Sequence, residues 1–181
     1  MRSVDAVFWD LDGTLADTEM GGHLLAFNKA FKDTGHNIYW DQNSYIELLK
    51  VHGGLNRLKY YFNHKDINIS FDELQKIHKL KTLYYVDIVK SGLIPLRVGV
   101  RRLVDELYRS DIPQYIVTTS SYDACLSIVN TSFNGGTPFL KLITAEHTKS
   151  LKPDPEAYNL AKQISGVESS NIIAIEDSKE G

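Results

Sequence analysis

Four short apolar runs, each closing on polar residues, limit what this chain can fold into: Ala6–Trp9, Tyr115–Val117, Leu140–Thr144 and Ile172–Ile175. Each has strand length, and a pattern of helical period precedes each of the last three. Val100, Leu103, Val104 and Leu107 mark one helix and Ala124–Val129 a second. Asp154 is expected to cap a third, with Pro155 at its first helical position and Gly166 closing it. Short strands alternating with helices predict an α/β protein with a parallel sheet and helices on both faces.

The stretch between the first two strands reads differently. Leu24, Phe27 and Phe31 share one helix face, and that helix stops near Gly35. Tyr45, Leu48 and Leu49 form a second face, expected to close at Gly53-Gly54, and Leu55, Leu58, Tyr61 and Phe62 form a third. Ser70 and Glu73 make a capping box ahead of Leu74, Ile77, Lys81, Tyr84 and Ile88, the apolar stripe of a long fourth helix. Residues 18–90 are therefore expected to form a helical cap inserted into a core built from residues 1–17 and 91–181.

Composition excludes several classes. The 181 residues carry a net charge of −3, with no basic stripe, so neither nucleic acid nor an anionic membrane is expected as a partner. The single cysteine, Cys125, cannot form an internal disulfide, reads as a small buried hydrophobe, and no Cys/His cluster suggests zinc. No segment approaches the ~20 apolar residues of a membrane span, and the first residues lack a signal peptide's apolar stretch. The expectation is a cytoplasmic monomer.

Chemistry gathers where the strands end. Asp10 and Asp12 follow the first strand, Thr118, Thr119 and Ser120 the second, and Glu176 and Asp177 the fourth. In an open parallel sheet, these carboxyl ends face one crevice, where ligands bind. Acids converging from two strands make an oxygen cage suited to Mg²⁺, and the cation offsets their mutual repulsion. Lys152 adds a fixed positive charge on the same side. Each feature alone has a plainer reading: Glu176-Asp177 as a helix cap, Thr118–Ser120 as an ordinary turn, Lys152-Pro153 as a solvated loop. Chance explains the whole set poorly.

These residues also carry a resemblance. Asp10-Leu-Asp12-Gly-Thr-Leu, Thr118, Lys152-Pro-Asp-Pro and Glu176-Asp177 resemble the four motifs of the haloacid dehalogenase superfamily, whose core is Rossmann-like. The helical insert resembles the cap of its β-phosphoglucomutase-like subgroup. His23-Leu-Leu-Ala-Phe-Asn28, Trp40-Asp41 and Leu48-Leu-Lys-Val-His-Gly-Gly-Leu-Asn-Arg57 are similar to CbbY-type sugar-bisphosphate phosphatases, members of which act on xylulose 1,5-bisphosphate. The resemblance implies that Asp10 attacks phosphorus and that Asp12 serves as acid and then base. Thr118 and Lys152 would hold the non-transferring oxygens. It implies Mg²⁺ on Asp10, the main-chain carbonyl of Asp12, and Asp177, with Glu176 in support. Gly13, Thr14, Thr119 and Ser120 would contact the phosphoryl group. Glu19, His23, Gly53, Gly54 and Arg57 match substrate-contacting positions of the cap, which would close over the sugar. Where relatives carry Thr-Gly-Gly-Lys-Glu-Arg this chain has His52-Gly-Gly-Leu-Asn-Arg57, which removes a lysine and a glutamate from the substrate side.

The implied function is a Mg²⁺-dependent phosphatase of a small phosphorylated sugar. The rival readings are a phosphomutase, which needs the same two aspartates, and a non-catalytic phosphate-binding domain on the same scaffold. The resemblance also implies a further helix and strand after Asp177, and Gly181 follows only four residues later. As written, the fourth strand would be a bare sheet edge: the chain reads as a fragment, as ending where order ends, or as completed by a partner, and is expected to be less stable and less active than a longer form.

Overall fold

In the computed structural model, which describes residues 4–51 and 53–179, the four apolar runs form one parallel sheet. In chain order the elements are β1 (Ala6–Trp9), α1 (Leu25–Asp33), α2 (Gln42–Leu48), α3 (Gly54–His64), α4 (Phe71–Lys90), α5 (Val100–Arg109), β2 (Gln114–Val117), α6 (Tyr122–Ser132), β3 (Lys141–Ile143), α7 (Glu156–Ser165) and β4 (Ile172–Ile175). The strands run in the order β3-β2-β1-β4, so β1 is flanked on both sides and all four of its residues are buried. Trp9 stands opposite both Ile116 and Ile175. Asp10 and Glu176 therefore leave the sheet side by side, with Val117 and Thr118 alongside.

Alternate residues of the strands serve opposite faces. Ala6, Phe8, Tyr115, Val117 and Ile143 pack with Ala157 and Ala161 of α7. On the other face Val7, Trp9 and Ile116 are buried, and a polar link joins them to α5. Trp9 Nε1 donates to Gln114 Oε1 (3.0 Å), and Gln114 Nε2 donates to the carbonyl of Val104 (3.0 Å). Cys125 of α6 is fully buried, and burial pushes its thiol up to about 12, which suits a small hydrophobe. β4 lies at the sheet edge, with Ile173 45% exposed.

The chain divides into two compact units, Met1–Thr18 with Gly92–Gly181, and Glu19–Ser91. The second is all helix. A π-helical turn over Glu19–Leu24 leads into α1, and the core gathers Phe27, Phe31, Trp40, Tyr45, Leu58, Phe62 and Ile77. Each of these side chains contributes roughly 1.5–3 kcal/mol by leaving water. Asp41 caps α2 by accepting from Ser44 N (2.7 Å), and Ser70 caps α4 by accepting from Glu73 N (3.2 Å). Among the described residues no helix is long and apolar enough to cross a membrane.

Several local expectations shift. Gly53 does not close α2, which ends at Leu48; it stands at the start of α3 with φ +82°, a conformation that suits glycine. On α4 the buried stripe runs through Tyr85 and Val89 rather than Tyr84 and Ile88, because Tyr84 turns its hydroxyl outward to donate to Asp33 Oδ2 (2.5 Å). Pro155 occupies the cap position of α7, not its first turn, and Asp154 Oδ1 accepts from Glu156 N (2.9 Å). Leu140 lies outside β3 and is 68% exposed.

The Trp9–Gln114–Val104 link is the one wholly buried side-chain bridge described between β1, β2 and α5. Gln114→Ala strips Trp9 Nε1 of its acceptor and opens a cavity, lowering stability by about 2–3 kcal/mol. A urea titration followed by tryptophan fluorescence reads this as a lower midpoint; an unchanged midpoint would refute it.

Candidate active site

The register that brings Asp10 beside Glu176 sets two carboxylates at the end of a sheet interior. Lys152, from the loop before α7, lies against both. Its Nζ donates to Asp10 Oδ1 (2.8 Å), to the carbonyl of Val117 (2.8 Å) and, by a short contact, to Glu176 Oε1. One ammonium thus joins the ends of β1, β2 and β4. Tyr158 of α7 stands behind it, stacked on Phe8, and its hydroxyl donates to the same Glu176 oxygen. Burial pushes the Asp10 carboxyl up to about 7 in spite of Lys152, with Glu176 and Asp12 adding to the rise.

Asp177 completes an acidic group. Asp10, Glu176 and Asp177 each offer an oxygen within 4.8 Å of the others. Thr14 Oγ1 donates to Asp177 Oδ1 (3.2 Å), and Gly13 presses its backbone against the same carboxylate. A Cβ on Gly13 would stand 2.2 Å from Asp177 Oδ2, and its φ of +87° also requires glycine. The donor set fits a hard divalent cation: all oxygen, three acids, and a buried Asp10 that one lysine does not fully compensate. A cleft of about 450 Å³ adjoins the group, lined in part by Gly13, Thr14, Arg97, Glu176 and Asp177.

Asp12 points elsewhere. Its Oδ2 accepts from Ser120 Oγ, by a short contact, and lies 3.4 Å from Thr118 Oγ1. Thr118 in turn accepts from Ser120 N (3.0 Å), so the turn after β2 is folded around this carboxylate. The side chain of Asp12 is outside the acidic trio, which leaves only its main-chain carbonyl for the cation role implied by resemblance. Thr119 is exposed and makes no hydrogen bond among the described residues.

The remaining candidates lie in the helical unit. Arg57 is buried; its Nε donates to the carbonyl of Leu48 (3.0 Å) and its Nη1 to Tyr45 Oη (2.7 Å). Tyr45 donates to Glu19 Oε2 (2.7 Å). His23 lies against Tyr85, with 3.9 Å between ring centroids and the planes tilted by 33°, and its Nδ1 is enclosed with no hydrogen-bond partner among the described residues. Burial first, then the charges of Lys81, Arg57 and His78, hold its imidazole well below the ordinary range, hence neutral. Gly54 approaches the His78 ring closely, with 3.0 Å from an added Cβ to Nε2, whereas an added Cβ on Gly53 would meet Asn56 Nδ2 at an ordinary 3.6 Å, and Gly53 serves the start of α3. His52 lies outside the described residues.

Four side chains of these clusters have polar roles that the sequence reading did not assign: Tyr158, Tyr45, His78 and Lys81. Lys81 left a signal, a cation at a core position of the α4 stripe, and it is indeed buried over the Phe27 and Tyr85 rings. The tyrosines left none, since an amphipathic ring on an apolar face reads as core.

This arrangement of acids and lysine at the ends of β1, β2 and β4 defines a hydrolase class, and the chain belongs to the haloacid dehalogenase-like hydrolase family, which matches residues 7–181. It is similar to the CBBY-like protein of Arabidopsis thaliana, with 35% identity over 97% of this chain and 58% of that protein. It is similar to the plasmid-borne CbbY of Cupriavidus necator, with 36% identity over 98% of this chain and 72% of that one. The chain thus spans little more than half the length of the plant relative. A crystal structure of a mutant CbbY from Rhodobacter sphaeroides, in complex with xylulose 1,5-bisphosphate, shares the fold with a TM-score of 0.73 at 30% identity. That likeness covers 94% of this chain and 76% of the other.

The contact of Gly13 with Asp177 yields a direct test. Gly13→Ala must drive Asp177 aside, so added Mg²⁺ is expected to raise the melting temperature of the wild type but not that of the variant. An equal Mg²⁺ shift in both proteins would show that Asp177 holds no cation.

Proposed function

We propose that this chain is the catalytic part of a Mg²⁺-dependent phosphatase acting on a small phosphorylated sugar, a bisphosphate such as xylulose 1,5-bisphosphate. The observation that carries the reading is the convergence of Asp10, Lys152, Glu176 and Asp177 at the strand ends, with Asp12 two residues from Asp10 on the same turn. Membership of a hydrolase family and the resemblance to CbbY proteins support the choice of reaction and of substrate.

Asp10 is the nucleophile. Its carboxylate attacks phosphorus in line, the bond from phosphorus to the sugar oxygen breaks, and an aspartyl-phosphate forms. Asp12 gives its proton to the departing sugar oxygen. It then takes a proton from water as that water displaces Asp10 and releases inorganic phosphate. Lys152 stays fixed throughout by the carbonyl of Val117, so its charge lies ready for the oxygens that do not transfer. Thr118 and Ser120, which hold Asp12 in the resting protein, are the hydroxyls that hand it over to the sugar oxygen when substrate enters. Asp10, Asp177 and the carbonyl of Asp12 would hold Mg²⁺, with Glu176 anchored by Lys152 and Tyr158 in support; the bound cation lowers the repulsion between carboxylates and phosphoryl oxygens.

The helical unit acts as the cap. Its buried cations, Arg57 and Lys81, with neutral His23 beside them, form the part that selects a second, unreacting phosphate. Glu19 and the backbone at Gly53 and Gly54 are the contacts left for sugar hydroxyls.

Incubation of the protein with a panel of phosphorylated sugars, following inorganic phosphate, tests the reading. Release is expected with Mg²⁺, is lost in EDTA and returns on adding the metal. Asp10→Asn should lower it by at least ~10³-fold, since no other carboxylate takes its place. Isomerised sugar phosphate with little free phosphate would mean a mutase, and retained turnover in Asp10→Asn would remove the nucleophile from the scheme.

A further inference from the structure

We propose that Tyr45 is a positioning residue that keeps Arg57 from being neutralised by Glu19, and that it thereby sets the preference for a sugar carrying a second phosphate. The inference rests on the assignment of Arg57 to that phosphate.

Tyr45 cannot swing. It is fully buried in the first turn of α2, with its ring 6.1 Å from that of Phe27 and 5.9 Å from that of Trp40. Its hydroxyl therefore occupies one fixed point, and that point touches both an acid and a base. A guanidinium can only donate, so the phenol accepts from Arg57 Nη1 (2.7 Å) and must give its single proton to Glu19 Oε2 (2.7 Å). Burial and the adjacent Glu19 charge hold the phenol pKa up, so this proton stays in place.

The hydroxyl keeps the ion pair apart. Glu19 Oε2 and Arg57 Nη1 stand 3.8 Å from each other, whereas a direct guanidinium–carboxylate bond closes to roughly 2.7–2.9 Å. Arg57 is pinned at a second point, Nε on the carbonyl of Leu48, and its face lies 5.1 Å from the Tyr45 ring centre. Among the described residues no hydrogen bond reaches its other terminal nitrogen, Nη2. A pinned guanidinium with one amino group unspent, near buried Lys81, is arranged for an incoming dianion rather than for its own carboxylate. Without the hydroxyl, Glu19 and Arg57 are free to close a direct pair in a poorly solvated place, and the charge offered to ligand falls.

The test measures binding, so that turnover does not enter. Xylulose 1,5-bisphosphate and xylulose 1-phosphate, which lacks the second phosphate, are titrated calorimetrically into Asp10→Asn protein with Mg²⁺ present. Adding Tyr45→Phe keeps the ring and removes the oxygen. It is expected to weaken the bisphosphate ~10-fold while the monophosphate moves less than ~2-fold. Adding Glu19→Gln to that variant removes the competing charge and is expected to restore most of the loss. Equal weakening of both ligands, or no recovery with Glu19→Gln, would mean that Tyr45 serves packing alone and overturns the proposal. If neither sugar binds the Asp10→Asn parent, the functional reading fails, and this inference fails with it.

Discussion

The ammonium of Lys152 is the contact on which the strand-end cluster depends. Its protons reach Asp10, the carbonyl of Val117 and Glu176, and so bind the ends of β1, β2 and β4 at one point. Two largely buried carboxylates in adjoining strands repel each other, and each alone would cost several kcal/mol to desolvate. The lysine lets them coexist, but incompletely: Asp10 remains a weaker acid than a free aspartate, with burial as the leading cause. A residual excess of negative charge at the mouth of a parallel sheet is the condition a divalent cation answers. That imbalance in the resting protein suits an occupant with two positive charges.

Much of this is legible in the sequence. Strand length fixed the sheet because runs such as Ala6–Trp9 and Ile172–Ile175 admit no buried helix, and parallel topology then forced their polar ends to one side. Asp10, Asp12, Lys152, Glu176 and Asp177 could be assembled from order alone, because chain order determines which edge they reach. What order does not determine is rotamer. Asp12 reads as a partner of Asp10, yet its side chain is folded back onto Ser120 and Thr118. Helix ends slipped for a related reason. Gly53-Gly54 and Asp154-Pro155 carry real end signals, but a glycine pair can start a helix as well as stop one.

The helical unit divides along the same line. Its periodicity was readable because Phe27, Phe31, Leu58, Phe62 and Ile77 follow the 3.6-residue repeat that burial imposes. Its chemistry was not, since the residues that organise Arg57 are amphipathic. Tyr45 satisfies the apolar pattern with its ring and the polar network with its oxygen, and a one-dimensional pattern registers only the first. Lys81 is the converse: a charge standing where the pattern asks for an apolar side chain, tolerated because its ammonium lies over two aromatic rings.

Both units, considered separately, use one device. In the sheet unit a phenol, Tyr158, donates to the carboxylate that pairs with Lys152; in the helical unit another, Tyr45, donates to the carboxylate beside Arg57. A phenol suits this task better than a serine. Its ring is held by neighbouring aromatics, Phe8 in one case and Phe27 and Trp40 in the other, so the oxygen has no freedom to drift. Its single proton satisfies part of the acid without supplying a charge. In the sheet unit the phenol shares the acid with a lysine in direct contact, whereas in the helical unit the acid and the guanidinium stand 3.8 Å apart. Buried ion pairs stabilise a fold weakly; in the proposed scheme the Glu19–Arg57 pair, held 3.8 Å apart by a neutral donor, retains the capacity to bind a phosphate.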